Sequence, residues 1–160
     1  MLVSGKVGSQ SMVKAIGVLL SLVLFASGAQ AQSPKQKHEL SEQCRKRANE
    51  VFKKKRDGHV SVPTDTGWTF TTYQSHYNSR SNKCFYLLKR EGHRENYRDS
   101  RGLYKIIMLI DLHENRGIGS YEGMTTERTM EEKTFDCLVQ EKKCKSEEEW
   151  RALIKPFMED

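Results

Sequence analysis

The chain lacks most of the short patterns that announce an activity. It has no Gly-x-Ser-x-Gly, so the exposed nucleophile elbow of a serine hydrolase has no support. No His-Glu-x-x-His or other close histidine–carboxylate grouping is present, which removes the common zinc-hydrolase reading. His38, His59, His93 and His113 are scattered. There is no Cys-x-x-Cys, so neither a thioredoxin-like redox centre nor a paired zinc clamp is indicated. No glycine-rich loop is available to cradle phosphate; Gly117 and Gly119 alone are too little. Internal repeats and low-complexity tracts are missing too. Beyond residue 25 no stretch approaches the roughly 20 apolar residues needed to cross a bilayer. No cofactor and no metal is therefore expected.

The N-terminal segment is the most informative. Lys6 and Lys14 form a short basic region without an acidic residue, and residues 15–25 are apolar. Ala29-Gln30-Ala31 follows, with small side chains at the two places where a signal peptidase admits nothing larger. A cleavable signal over residues 1–31 is expected, with cleavage after Ala31. The apolar run is short for a membrane anchor. The first cysteine, Cys44, lies too far on for a lipoprotein signal. The mature chain would be periplasmic or secreted.

That mature chain is 160 less 31, or 129 residues, enough for a single domain over residues 39–160 behind a flexible leader, 32–38. The formal charge of the whole chain is +6; without Lys6 and Lys14 it is +4. The excess is modest and signs are mixed. A basic side of the first helix (Arg45, Lys46, Arg47 and residues 53–56) and a cluster at Lys142, Lys143 and Lys145 could meet phosphate, lipid headgroups or an acidic partner. Solvated faces are the plainer explanation. Nucleic acid is not an expected partner, since no aromatic–basic interleaving appears.

Cys44, Cys84, Cys137 and Cys144 all fall in the mature part. An even number in a small exported domain indicates disulfides. Four cysteines allow three pairings, and sequence does not decide among them. The favoured one joins Cys44 to Cys84, tying the first helix to the sheet, and Cys137 to Cys144, stapling a turn.

Leu40, Cys44, Ala48, Val51 and Phe52 recur at helical spacing, which predicts an amphipathic helix over 39–55, stopped at Asp57 and Gly58. Residues 59–72 read as loop with short extended pieces, and 73–82 as a short helix or ordered loop. Strands are expected over 83–89, 103–111 and 133–140. The second is apolar at both parities, as in a central strand covered on both faces. Asn115, Arg116 and Gly117 suggest a hairpin turn, with the glycine supplying a positive φ. The charged run 90–102 and the polar run 123–132 read as connections. Glu91, Glu95 and Asp99 stand four apart among arginines and would make i,i+4 pairs if helical. Ser146 and Glu149 form a capping box before Trp150, Leu153, Ile154 and Phe157. Pro156 within that stripe predicts an irregular last turn. The expected fold is α+β: an antiparallel sheet of three to four strands against an N-terminal and a C-terminal helix, linked by disulfides.

Three candidate sites follow. Asp111, His113, Asn115 and Glu122 imitate a calcium loop, but Arg116 occupies the glycine position, so a charged turn is expected instead. Residues 75–78, Ser-His-Tyr-Asn, are the densest polar cluster. His76 is a weak candidate base, with Ser75, Ser79 or Ser81 as nucleophile and Asp111 or Glu114 as orienting acid. Sequence neighbours seldom face one another, so a binding surface or internal hydrogen bonding is preferred. That surface would comprise Trp68, Tyr73, His76, Tyr77, Asn78 and Arg80, whose rings offer area and polar handles together.

The segment 73–86, YQSHYNSRSNKCFY, resembles one found in small uncharacterised exported proteins of bacteria. These also place a cysteine-bearing helix first and a cysteine segment before a C-terminal helix ending near Phe157. The family pattern favours Leu where this chain has Ser81. The resemblance covers most of the mature chain and implies an envelope location with no catalytic assignment. The expected function is an exported, non-enzymatic component that binds a protein or a glycan. The alternatives are a small hydrolase using His76, or a structural or stress-related protein without a defined ligand.

Overall fold

The computed structural model describes residues 32–56, 61–64, 67–97 and 100–160. The expected signal over 1–31, its cleavage point and the helix stop at Asp57 and Gly58 lie outside the described residues. The described chain begins with helix α1, Pro34–Arg56. The helix thus starts five residues earlier than expected and takes in most of the supposed leader. Pro34 suits a first-turn position, where its missing N–H leaves no helical bond unmade. Ser33 accepts the Gln36 N–H at its Oγ.

Seven antiparallel strands follow in sequence order: β1 (Ser61–Thr64), β2 (Gly67–Asn78), β3 (Lys83–Tyr97), β4 (Ser100–Asp111), β5 (Arg116–Thr126), β6 (Glu132–Val139) and β7 (Lys142–Lys143). Helix α2, Glu147–Met158, ends the fold. The expected α+β class with a helix at each end is present, and so are both bridges, Cys44–Cys84 and Cys137–Cys144. The expectation of three to four strands is wrong: the sheet has six strands of four residues or more and a two-residue seventh.

The added strands come from segments read as connections. Residues 67–78 pair with β3 over their whole length, from Gly67 opposite Arg94 to Asn78 opposite Lys83. The charged run after Lys89 continues β3. Its carboxylates find cations across and along strands: Glu91 meets Lys89 and Lys105, and Glu95 meets Arg101. These replace the helical i,i+4 pairs that the spacing suggested.

The two helices lie on opposite faces of the sheet. Neighbouring residues of a strand point to opposite sides, and Phe85 and Tyr86 show the consequence. Tyr86 and Leu88 pack with Ala48 and Phe52 of α1. Phe85, Leu87, Ile107, Leu109, Tyr121 and Cys137 pack with Trp150 and Ile154 of α2. β4 is therefore covered on both faces, as its continuous apolar run implied. Cys44–Cys84 fastens α1 to β3. Cys137–Cys144 closes the β6–β7 hairpin, across which the Cys144 N–H also donates to the Cys137 carbonyl.

The capping box forms with one change. Ser146 Oγ accepts from the Glu149 N–H at 3.2 Å, but Glu149 answers at the Lys145 N–H, 2.8 Å away. The helix runs through Pro156 without stopping. Asn115, not Gly117, takes the left-handed conformation of the β4–β5 turn (φ 50°). Gly117 stands in β5 beside a bulge.

Candidate functional site

A twelve-residue helix is about 18 Å long, whereas the fifteen residues of β3 extend about 50 Å. α2 cannot cover its face of the sheet. Its first turn is joined to the sheet at Lys105, whose Nζ stands 2.6 Å from Glu147. Burial alone would raise the Glu147 pKa, but the hydrogen bonds from Lys105 and Arg151 outweigh it and hold the carboxyl below its usual value. Beyond Lys105 the face is open.

The register decides which side chains occupy that open end. Phe70 lies opposite Glu91, and Glu91 opposite Lys105, while Trp68 and Leu103 lie opposite His93. All share the parity of Phe85 and face the α2 side. Across β5, Thr125 pairs with Leu103 and Glu132. The result is a cup of about 480 Å³, rimmed by Trp68, Phe70 and Leu103, with Glu91, Lys105 and Glu132 among its walls. The three apolar side chains are 46%, 40% and 51% exposed. Among the described residues the only other exposed large apolar side chain is Met130. A contiguous exposed apolar group on a soluble fold marks a contact site more often than a scattered one does.

Glycine shapes one wall. A Cβ at Gly123 would stand 2.2 Å from the Tyr121 phenol oxygen. With hydrogen there instead, the Tyr121 ring passes over Gly123 and donates to Glu132. Burial first, and then the Glu132 carboxylate, push the phenol pKa well up, so Tyr121 stays protonated and remains a donor.

The sequence-nominated residues do not form one surface. Trp68 is in the cup. Tyr73 faces α1, its ring 4.7 Å from Phe52 and 5.5 Å from Tyr86. Tyr77 is buried and bonds Gln32 and Asn82. Asn78, 1% exposed, closes the end of α2: its Nδ2 donates to the carbonyls of Pro156 (3.0 Å) and Glu159 (2.9 Å). Its Oδ1 accepts from Ser81. Arg80 is exposed in the β2–β3 turn, far from Trp68.

The arrangement around His76 is not that of a triad. Ser75 points to the opposite face, as strand neighbours must. His76 Nε2 is buried without a hydrogen-bond partner, 3.6 Å from Asp160. Asp160 is itself held by Lys37 and the Ser79 N–H. Asp111 stands two strands away with Phe85 at the intervening position. Its carboxylate takes Lys83 at 2.9 Å and the backbone of His113 and Glu114. Burial opposes ionisation of Asp111, yet those three donors prevail and lower its pKa. Lys83 also holds Glu114, so the calcium-like stretch is an ion-paired turn. Among the described residues no group of three or more His, Cys, Asp or Glu is placed to hold a metal. None of the described helices is long and apolar enough to span a membrane.

Sequence reasoning missed Phe70, Glu91, Leu103, Lys105 and Glu132. The usable signal was the alternation of Trp68 and Phe70 with Thr69 and Thr71, a two-residue period in a segment taken for loop. No family model, curated protein or solved structure matches the chain.

Proposed function

We propose that this chain acts after export as a non-enzymatic binding component of the bacterial envelope, and that it takes a glycan in the cup at Trp68, Phe70 and Leu103. The exported location rests on the signal pattern over residues 1–31, and two disulfides suit an oxidising compartment. The observation that carries the binding site is the grouping of the exposed indole, phenyl and leucyl side chains around one cavity with two carboxylates beside them. A sugar ring has an apolar C–H face and a polar edge. Trp68 and Phe70 offer flat apolar area to the first. Glu91 and Glu132 accept hydrogen bonds from the hydroxyls of the second. The non-enzymatic reading is supported by the surroundings of His76: Ser75 points to the opposite face, and the carboxylate beside the ring, Asp160 at 3.6 Å, is already held by Lys37 and the Ser79 N–H.

A protein ligand is the second reading. It is favoured by β1, an edge strand with β2 as its one neighbour, lying beside Trp68. An extended peptide could add to that edge.

Tryptophan fluorescence tests both. Trp68 is exposed and Trp150 fully buried, so a ligand in the cup changes the emission of Trp68. Envelope polysaccharide fragments should quench or shift it saturably. Measured by titration calorimetry, which does not need the indole as reporter, Trp68→Ala should weaken binding by about 30-fold, the scale of an interface hot spot, with the melting temperature unchanged. Equal binding by Trp68→Ala and Phe70→Ala proteins would sink the assignment. Response to peptides and not to saccharides would select the second reading.

A further inference from the structure

Charge in this domain is segregated. α1 carries nine Lys or Arg against three Glu, whereas residues 57–160 carry sixteen against eighteen Asp or Glu. The basic excess of the domain therefore belongs to one helix.

The exposed cations Lys46, Arg47, Lys53 and Lys54 lie opposite the buried positions Cys44, Ala48 and Phe52. Seven residues is close to two turns, so Lys46 stands in line with Lys53, and Arg47 with Lys54, each pair about 10 Å apart. None of the four makes an ion pair among the described residues; Arg45 does, with Glu42. Glu50 is the sole carboxylate within this group of positions. The helix dipole favours cations in a last turn. That accounts for Lys53 and Lys54 but not for Lys46 and Arg47, more than a turn earlier. The disulfide to β3 and the packing of Phe52 on Tyr73 hold this face outward.

We infer that the outer face of the C-terminal half of α1 docks the folded domain on an anionic phospholipid surface. Two rows on a convex helix spread positive charge over an area and do not converge on a point, which suits a sheet of headgroups and not one phosphate. No exposed large apolar side chain lies on α1. Attachment is then electrostatic and peripheral, without insertion, and is screened by salt. This reading does not depend on what occupies the cup, which opens on the other side of the sheet.

The test is co-sedimentation of the mature protein with phosphatidylcholine vesicles, with and without phosphatidylglycerol. Binding is expected only with phosphatidylglycerol and should fall as salt is raised. The double variant Lys46→Glu/Lys53→Glu should bind at least about 30-fold more weakly, and Glu50→Gln about fivefold more tightly, at the energy of one juxtamembrane charge per step. All three positions are exposed, so unchanged melting curves are expected and are the control on folding. Indifference to phosphatidylglycerol at low salt, or wild-type binding by the double variant, would overturn the inference. So would full competition by free inorganic phosphate, or a preference for duplex DNA over the vesicles at equal salt.

Discussion

Replacing Cys44 and Cys84 together by alanine should be the more damaging of the two disulfide deletions, and the difference can be worked out beforehand. The bond closes a span of 40 residues; Cys137–Cys144 closes one of seven. In the chain-entropy treatment the denatured state loses about 2.1 plus 1.5R ln n cal/mol/K. At 25 °C that gives about 4 kcal/mol for the long span and about 2.4 for the short one. A domain of this size has roughly 5–15 kcal/mol in all, so the first loss is a large share of its stability. With a urea m-value of about 2 kcal/mol/M, the midpoint should move down by about 2 M for the long bridge and about 1.2 M for the short one. Emission of Trp150, buried between α2 and the sheet, reports the transition. The m-value should also rise when the long bridge is removed, because the unlinked chain exposes more surface on unfolding. If the short bridge proves the costlier, or the long one moves the midpoint by under half of the stated shift, loop closure is not what the Cys44–Cys84 bond contributes.

Asn78→Ala should destabilise the fold by about 2–4 kcal/mol in the same assay, since it strips partners from two carbonyls at the end of α2 and from Ser81. Gly123→Ala should cost about 1–3 kcal/mol, because a methyl group there collides with the Tyr121 ring and displaces it from Glu132. The acid limb of a stability–pH profile should depend on Asp160. Lys37, and then the Ser79 N–H, lower its carboxyl from 3.8 to about 2 in the folded protein. A depressed folded pKa means stabilisation that is whole above pH 4 and lost as pH falls toward 2. Asp160→Asn should accordingly be less stable than wild type at neutral pH, and denaturant midpoints of the two should converge near pH 2; parallel curves would count against the Lys37 contact.

What could be read from the sequence was whatever had an apolar period under a helix. α1, α2 with its cap, and the central parts of β3, β4 and β6 all announce themselves, because burial against a partner layer demands hydrophobic residues at fixed intervals. The rest of the sheet did not, for the reason that made the cup. Where no helix covers a strand, its residues need not be apolar, and Arg90 to Arg94 or Thr69 to Thr72 look like loop while pairing fully. Strand pairing over this stretch is held by backbone bonds and cross-strand charges, which leave a faint trace in a single sequence. The nominated site failed in the same way. Tyr73, Tyr77 and Asn78 are rich in polar chemistry, and the fold uses it internally for packing and for closing α2.

The short bridge acts as a measuring stick. Cys144 is bonded to Cys137 in β6, and α2 begins three residues later at Glu147. The first turn of the helix is thereby pegged to a fixed row of the sheet, level with Lys105. It cannot creep upstream to roof Trp68 and Phe70. How much of the face stays bare is decided by one covalent peg and three intervening links, so the size of the opening is heritable through spacing. Inserting or deleting residues between Cys144 and Glu147 would resize the mouth without altering a single side chain inside it.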